Sequence, residues 1–137
     1  MCDGTVSVFT IGGTGALTLA GSPVVTGTFP FSVTVDPTGK FVYTANTGSA
    51  SNNTSQGSIS QFSIGTAGAL TLIGTVNAGL GTSSVTVDPT GAYAYAANRG
   101  QSSLSQYTIN QVTGALAPMG AATAVSGLNP TSIATGY

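Results

Sequence analysis

The stretch SVTVDPTG occupies residues 32–39 and recurs unchanged at residues 84–91, 52 residues further along the chain. Other segments recur in the same order. GALTL stands at 15–19 and 68–72, and an alternating apolar and polar segment stands at 5–11, 58–64 and 103–109. Similar segments at such a spacing indicate a repeat architecture, in which each unit buries its apolar face only against its neighbours.

The DPTG that ends each copy predicts a tight turn. Asp suits the first turn position because its side chain bonds the backbone two residues on, Pro presets φ at the second position, and Gly suits the fourth. The residues assigned to these two structural turns are Asp36, Pro37, Gly39, Asp88, Pro89 and Gly91. Each turn joins two short alternating runs, so each predicts a β-hairpin. We expect both aspartates to hold their turns rather than to act as general acids or bases.

Strand signals cover nearly the whole chain and helix signals are almost absent. The pattern predicts eleven strands, near residues 5–11, 16–25, 31–35, 40–45, 57–64, 69–77, 83–87, 92–97, 102–109, 115–124 and 131–135. Four antiparallel strands in a unit of about 45–53 residues are typical of a β-propeller blade. The predicted fold class is therefore all-β, with about two and three-quarter four-stranded propeller blades.

The blades divide the chain into four parts if the strands are called A to D from the propeller axis outward. Residues 1–26 are predicted to be a partial blade with the outer strands C and D, 27–78 and 79–126 to be full blades, and 127–137 to be the inner strand A of a next blade. A propeller protects its sheet edges by closing its ring, and so few blades leave both flanks open. We expect copies of the chain, or the remaining blades of a longer chain, to cover them.

Charge is unusually scarce in this sequence. Only 4% of the 137 residues are charged, and the net charge is −1, against roughly 25% charged residues in typical soluble domains. Two cations cannot neutralise a phosphate backbone, so we expect no nucleic-acid partner. No apolar run is long enough to span a membrane, and no signal peptide is visible. Few charges, much Ser and Thr and no His favour an extracellular, cell-surface or periplasmic location, and the single Cys2 forms no internal disulfide.

Residues 33–46, VTVDPTGKFVYTAN, resemble the repeat of bacterial propellers named for a Tyr-Val-Thr-Asn motif. YTAN at 43–46 and YAAN at 95–98 stand at that motif. The pattern is also similar to the lactonase-like propeller family related to 6-phosphogluconolactonase, whose members carry seven blades. The resemblance implies that the enzymes of the family use polar and charged groups, including His, Glu and Arg, around the axial pocket.

This sequence holds no His, no Glu and a single Arg, Arg99. No catalytic residue is carried over from the family, so we predict that the chain is not an enzyme. Its carboxylates show no metal-binding spacing, so we also expect no metal and no cofactor.

Four asparagines are the remaining candidate site residues. Asn46 and Asn98 follow strand B in both units, where we expect them to bond the backbone as the chain leaves the strand. Contact with a ligand on one propeller face is the alternative. Asn52 and Asn53 match the glycosylation motif in a polar loop over residues 47–57.

From these observations we expect a structural scaffold outside the cytoplasm that self-associates through its open blade edges, as a ring or a head-to-tail filament. Two alternatives stay open. The chain is a fragment of a lactonase-like seven-bladed enzyme that acts on sugar lactones, or it is a propeller module that binds a carbohydrate or a protein.

Overall fold

The computed structural model describes residues 3–49 and 54–136. Over these residues the chain forms thirteen strands and two short 3₁₀ turns. The strands are β1 Asp3–Val6, β2 Phe9–Ile11, β3 Leu17–Leu19, β4 Val24–Thr28, β5 Pro30–Val35, β6 Phe41–Asn46, β7 Gln56–Ile64, β8 Leu70–Leu80, β9 Thr82–Val87, β10 Tyr93–Asn98, β11 Ser103–Ile109, β12 Leu116–Pro118 and β13 Thr123–Ala124. The 3₁₀ turns are Thr66–Gly68 and Arg99–Gln101. The predicted all-β fold class is confirmed.

Two antiparallel sheets follow the repeat. The first has the order β5-β6-β7-β8, and the second has the order β9-β10-β11-β12, with β13 also paired to β11. Equivalent strands keep equivalent registers, so that Thr44 faces Ser60 in the first sheet and Ala96 faces Ser105 in the second. Each sheet is a meander of consecutive strands, as a propeller blade requires.

An interrupted hairpin precedes the first full sheet. β1 pairs with β4 and β2 pairs with β3, and a bond from the Ala20 amide to the Val8 carbonyl (2.8 Å) links the two ladders. The predicted strands 5–11 and 16–25 are therefore each divided in two. The predicted blade boundaries at 1–26, 27–78, 79–126 and 127–137 stay predictions.

The predicted strand at 131–135 is not a strand in the structure. The segment lies beside β9, where the Thr135 hydroxyl donates to the Val87 carbonyl (2.8 Å) and the Ile133 amide donates to the Ser84 hydroxyl (3.4 Å). A strand needs a backbone ladder, and these contacts run through side chains. Within the described ranges no strand lies on the other side of this segment to supply one.

The main core lies between the two full sheets. Its buried side chains come from β6 and β7 of the first sheet and from β9 to β12 of the second. Tyr43 is completely buried there, and its hydroxyl donates to the Gly114 carbonyl of the other sheet (2.9 Å). Tyr107 reaches back in the same way to the Asn77 carbonyl (2.9 Å). The two sheets are thus joined face to face by apolar packing and by buried hydrogen bonds.

No helix in the described part of the chain has both the length and the apolar character needed to cross a membrane.

Candidate functional site

The two ends of the sheets carry different chemistry. At one end, which we call the turn end, residues 36–39 and 88–91 connect β5 to β6 and β9 to β10. At the opposite end, which we call the Asn end, lie the last residues of β6 and β10 and the connections around residues 26–30, 46–49, 78–82 and 98–102. A site on this chain lies at one of these ends or on a sheet flank.

At the turn end the Asp36 carboxylate is fully engaged by its own turn. It accepts bonds from the amides of Lys40 (2.8 Å) and Phe41 (2.7 Å), and from the amide (3.0 Å) and hydroxyl of Thr38. Burial raises the pKa of this carboxyl, but the hydrogen bonds from Thr38, Phe41 and Lys40 lower it by more. The pKa of Asp36 therefore lies below the ordinary value. Asp36 is therefore a structural anion rather than a general base poised near neutral pH.

Asp88 repeats this arrangement in the second sheet. It accepts bonds from the Tyr93 amide (2.7 Å) and from the amide (3.1 Å) and hydroxyl of Thr90. Slight burial raises the pKa of this carboxyl, and the bonds from Thr90 and Tyr93 outweigh it and lower the pKa. The turn end thus keeps its carboxylates ionised and occupied, which leaves them little capacity for catalysis.

At the Asn end, each sheet contains a buried asparagine clamp. The Asn98 amide nitrogen donates to the hydroxyls of Ser103 (3.2 Å) and Ser105 (2.8 Å) on the next strand. Its carbonyl oxygen accepts from the Gly79 amide (2.9 Å) and the Thr82 hydroxyl (3.1 Å). One side chain therefore ties β10 to β11 and to the connection between the two sheets.

Asn46 forms the equivalent clamp in the first sheet. Its amide nitrogen donates to Ser60 (3.0 Å) and Ser58 (3.3 Å), and its carbonyl oxygen accepts from the Thr26 hydroxyl (3.2 Å). A Cβ at Gly27 would overlap the Asn46 amide, and a Cβ at Gly79 would overlap the amide of Asn98 in the same way. The glycines let the backbone approach the amides closely. Both asparagines are fully buried, so neither is exposed to a ligand.

A left-handed residue recurs in the chain entry to the inner strand. Phe29 (φ 53), Gly81 (φ 62) and Asn129 (φ 56) occupy this place in successive units. The Phe29 carbonyl accepts from the Thr47 amide (3.0 Å), and the Gly81 carbonyl accepts from the Arg99 amide (3.1 Å). A bulky residue such as Phe29 pays a conformational cost in this region. The spacing from the octapeptide locates this position in the sequence, but the residue types found there, Phe, Gly and Asn, do not by themselves predict it.

Exposed polar groups at the Asn end come mainly from the connection after β10. Arg99 is exposed, and Gln101 accepts a bond from the Leu80 amide (3.1 Å). Asp3 begins β1, whose first residue pairs with Thr28 at the same end. Within residues 3–49 and 54–136, no three His, Cys, Asp or Glu residues group as a metal site would require. The proposed glycosylation residues Asn52 and Asn53, and Cys2, lie outside the described residues.

Comparison with known protein families shows the family to which this chain belongs. The family described as lactonase, seven-bladed β-propeller, matches residues 2–84 and 75–135. The chain belongs to this lactonase propeller family. The resemblance read from residues 33–46 is thereby confirmed. No curated protein matches the chain significantly by sequence.

Solved structures share the fold. A putative 6-phosphogluconolactonase from Bacteroides fragilis superposes with a TM-score of 0.81 at 24% identity, over 95% of this chain and 35% of that one. A putative 6-phosphogluconolactonase from Bacteroides uniformis superposes at 0.77 and 24% identity, over 93% and 36%. A functionally unknown protein from Desulfotomaculum acetoxidans superposes at 0.71 and 26% identity, over 85% and 34%. The chain thus spans about a third of the length of these proteins.

These comparisons overturn one prediction. The expectation that the chain is not an enzyme is wrong, because the family to which it belongs is described as a lactonase family. The error came from treating the missing His and Glu as decisive. A propeller site at the ring axis collects side chains from several blades, so the absence of two residue types from this sequence does not determine the chemistry of such a site.

Proposed function

We propose that this chain forms part of a lactonase-type propeller that opens the ring of a sugar lactone. The observation that carries the proposal is the family match, which extends over nearly the whole chain. This is the enzymatic alternative that the sequence left open. The self-associating scaffold finds no support in the comparisons.

The Asn end is the face on which we place lactone binding. Opening a lactone by water requires a group that accepts a proton from the water and donors that stabilise the negative charge developing on the carbonyl oxygen. The carboxylates of the turn end are occupied by their own backbone amides. Arg99 is exposed at the Asn end, and Asp3 begins its strand there.

In this proposal Arg99 supplies positive charge to the lactone carbonyl or to an anionic substituent of the sugar. A guanidinium offers several N–H donors in a fixed plane. Asp3 is the aspartate of the sequence that no proline follows. The other blades of the ring complete the site.

Hydrolysis of sugar δ-lactones, with and without a phosphate group, tests this function. The rate above spontaneous hydrolysis is measured for the ring-sized particle that contains the chain. Loss of a charged donor that acts in the transition state lowers the rate by about 10²–10³-fold, so we expect Arg99→Gln to have an effect of this size. Lys40→Gln, which removes the cation of the turn end, is the matched control and should leave the rate unchanged.

Absence of hydrolysis in a folded, ring-sized particle would refute the enzymatic function. Lactone binding without turnover would favour the binding-module alternative instead. Equal loss in the Arg99 and Lys40 variants would contradict the assignment to the Asn end.

A further inference from the structure

We propose that a groove between the two full sheets, open at the Asn end, binds a neutral sugar unit. In the proposed lactonase this unit is a glycosyl substituent of the lactone, so the substrate class is the lactone of a disaccharide acid rather than of a single sugar. The substrate class rests on the proposed function, whereas sugar binding in the groove does not.

The groove lies where the outer parts of the two sheets meet. It has a volume of about 310 Å³ and is lined by the end of β8, the 3₁₀ turn Arg99–Gln101, β11 and the segment after β12. Sites for small molecules have volumes of about 300–1,000 Å³. β8 is continuous over eleven residues, whereas the outer strand of the second sheet is interrupted between Pro118 and Thr123. A Cβ at Gly120, inside this interruption, would meet no atom within 4 Å, so the groove is open there.

Three side-chain amides line the groove, and none of the described residues that line it carries a charge. The Gln101 carbonyl oxygen accepts from the Leu80 amide (3.1 Å), which leaves the N–H groups of its side chain for a ligand. The Gln106 side chain donates to the Thr123 hydroxyl and keeps its carbonyl oxygen as an acceptor. The third amide, Asn77, is exposed. Side-chain amides both donate and accept, as the adjacent hydroxyl groups of a sugar ring do.

The equivalent place in the preceding unit is apolar. By the repeat alignment Asn77 corresponds to Val25, and Tyr107 corresponds to Phe62. The Tyr107 hydroxyl donates to the Asn77 carbonyl (2.9 Å) and so joins the two walls of the groove, whereas Phe62 has no polar group to do this. The fold accommodates an apolar pair at this place, so packing between the sheets does not by itself explain the polar pair. Binding of a polar ligand does.

The groove adjoins Arg99, to which the proposed function assigns the lactone. Arg99 and Gln101 belong to the same 3₁₀ turn. The connection between the sheets holds both ends of this turn, since the Arg99 amide donates to the Gly81 carbonyl (3.1 Å) and the Leu80 amide donates to Gln101 (3.1 Å). A lactone bound at Arg99 therefore lies beside the groove, and a glycosyl group on its ring can enter it.

Saturation-transfer NMR on the full chain, with the disaccharide cellobiose as the neutral probe, tests sugar binding. We expect saturable binding in the millimolar range. Ala122→Leu fills the groove and should weaken binding roughly tenfold or more. Ala121→Leu changes the neighbouring exposed residue, which does not line the groove, and is the matched control that should bind as the parent does. Asn77→Val installs the residue type of the preceding unit and should weaken binding about fivefold through lost hydrogen bonds.

Circular dichroism melting verifies that each variant is folded. Sugar binding in the groove is overturned if cellobiose shows no saturable binding, if Ala122→Leu binds like Ala121→Leu, or if Asn77→Val binds as tightly as the parent.

Kinetics on the ring-sized particle test the substrate class. The δ-lactone of cellobionic acid, which carries a glucosyl unit, should have a KM roughly tenfold below that of glucono-δ-lactone, because the extra sugar adds hydrogen bonds in the groove. Ala122→Leu should raise the KM of the disaccharide lactone alone. Equal KM values for the two lactones in the parent would overturn the substrate class.

The two measurements separate the groove from the enzymatic function. Cellobiose binding in a particle that hydrolyses no lactone would retain the groove and reject the enzymatic function. Hydrolysis of glucono-δ-lactone without cellobiose binding would reject the groove alone.

Discussion

Tyr43 and Tyr95 occupy the same place in the two units, 52 residues apart, and differ only in what lies beside them. Tyr43 is 0% exposed between the two sheets, and its hydroxyl donates to the Gly114 carbonyl (2.9 Å). Burial, and then the nearby charge of Asp36, raise the pKa of Tyr43, so that the phenol stays protonated as a donor. Tyr95 is only half-buried on the open flank of the second sheet.

Tyr43→Ala should therefore cost much more stability than Tyr95→Ala. Truncation of a buried aromatic ring costs about 3–5 kcal/mol, and the lost hydrogen bond adds about 1 kcal/mol. Half-burial limits the cost of Tyr95→Ala to about 1–2 kcal/mol. Because the larger loss approaches the stability of a whole domain, Tyr43→Phe and Tyr95→Phe form the second pair. We expect a fall in Tm of about 3–5 °C for Tyr43→Phe and none for Tyr95→Phe.

Urea unfolding followed by circular dichroism measures both pairs. Equal losses for Tyr43→Ala and Tyr95→Ala would refute the reasoning, since they would show that the face around Tyr95 is covered as completely as the space between the two sheets that holds Tyr43.

Stability should fall as the pH is lowered from about 5 through the pKa values of Asp36 and Asp88, because the pKa of each carboxyl in the folded state lies below the ordinary value of an aspartate and folding therefore favours the ionised forms. Asp36→Asn should flatten this dependence in urea titrations from about pH 7 to about pH 2, and an unchanged slope would contradict the reasoning. Asn98→Ala should cost about 3 kcal/mol, because it leaves several buried partners unsatisfied, and a loss below about 1 kcal/mol in urea unfolding would count against the clamp. Gly114→Ala should destabilise the chain more than Gly39→Ala, since both have positive φ but only the first would overlap a neighbouring ring. Thermal melting compares the two glycine variants directly, and equal Tm values would argue against the overlap.

Much of the fold follows from local patterns in the chain. The repeated octapeptide predicted the hairpins at residues 36–39 and 88–91, and the structure confirms an all-β arrangement of antiparallel strands. Alternation has a period of two residues in any half-buried strand, so it can be read before the partner is known. The segment at 131–135 shows where this reading ends: it has the alternation of a strand but no backbone ladder in the structure.

The candidate site was less predictable, because its groups are brought together by folding. Asn46 and Asn98 were recognised as strand-end residues, but their partners lie on the next strand and on the preceding sheet, so no local pattern names them. The prediction of no enzymatic role failed for a related reason. It judged the chemistry of a propeller site, to which several blades contribute, from the residue types of this chain alone.

By itself the sequence determined the strand pattern, the turns and the family, because each depends on residues close together in the chain. Only the tertiary structure decided which apolar faces are covered. Val33 and Val85 stand in identical octapeptides, yet one is 57% exposed and the other 4%. Burial is a property of the neighbours that a residue acquires in three dimensions, and two identical segments cannot reveal that one of them has a sheet beside it and the other does not.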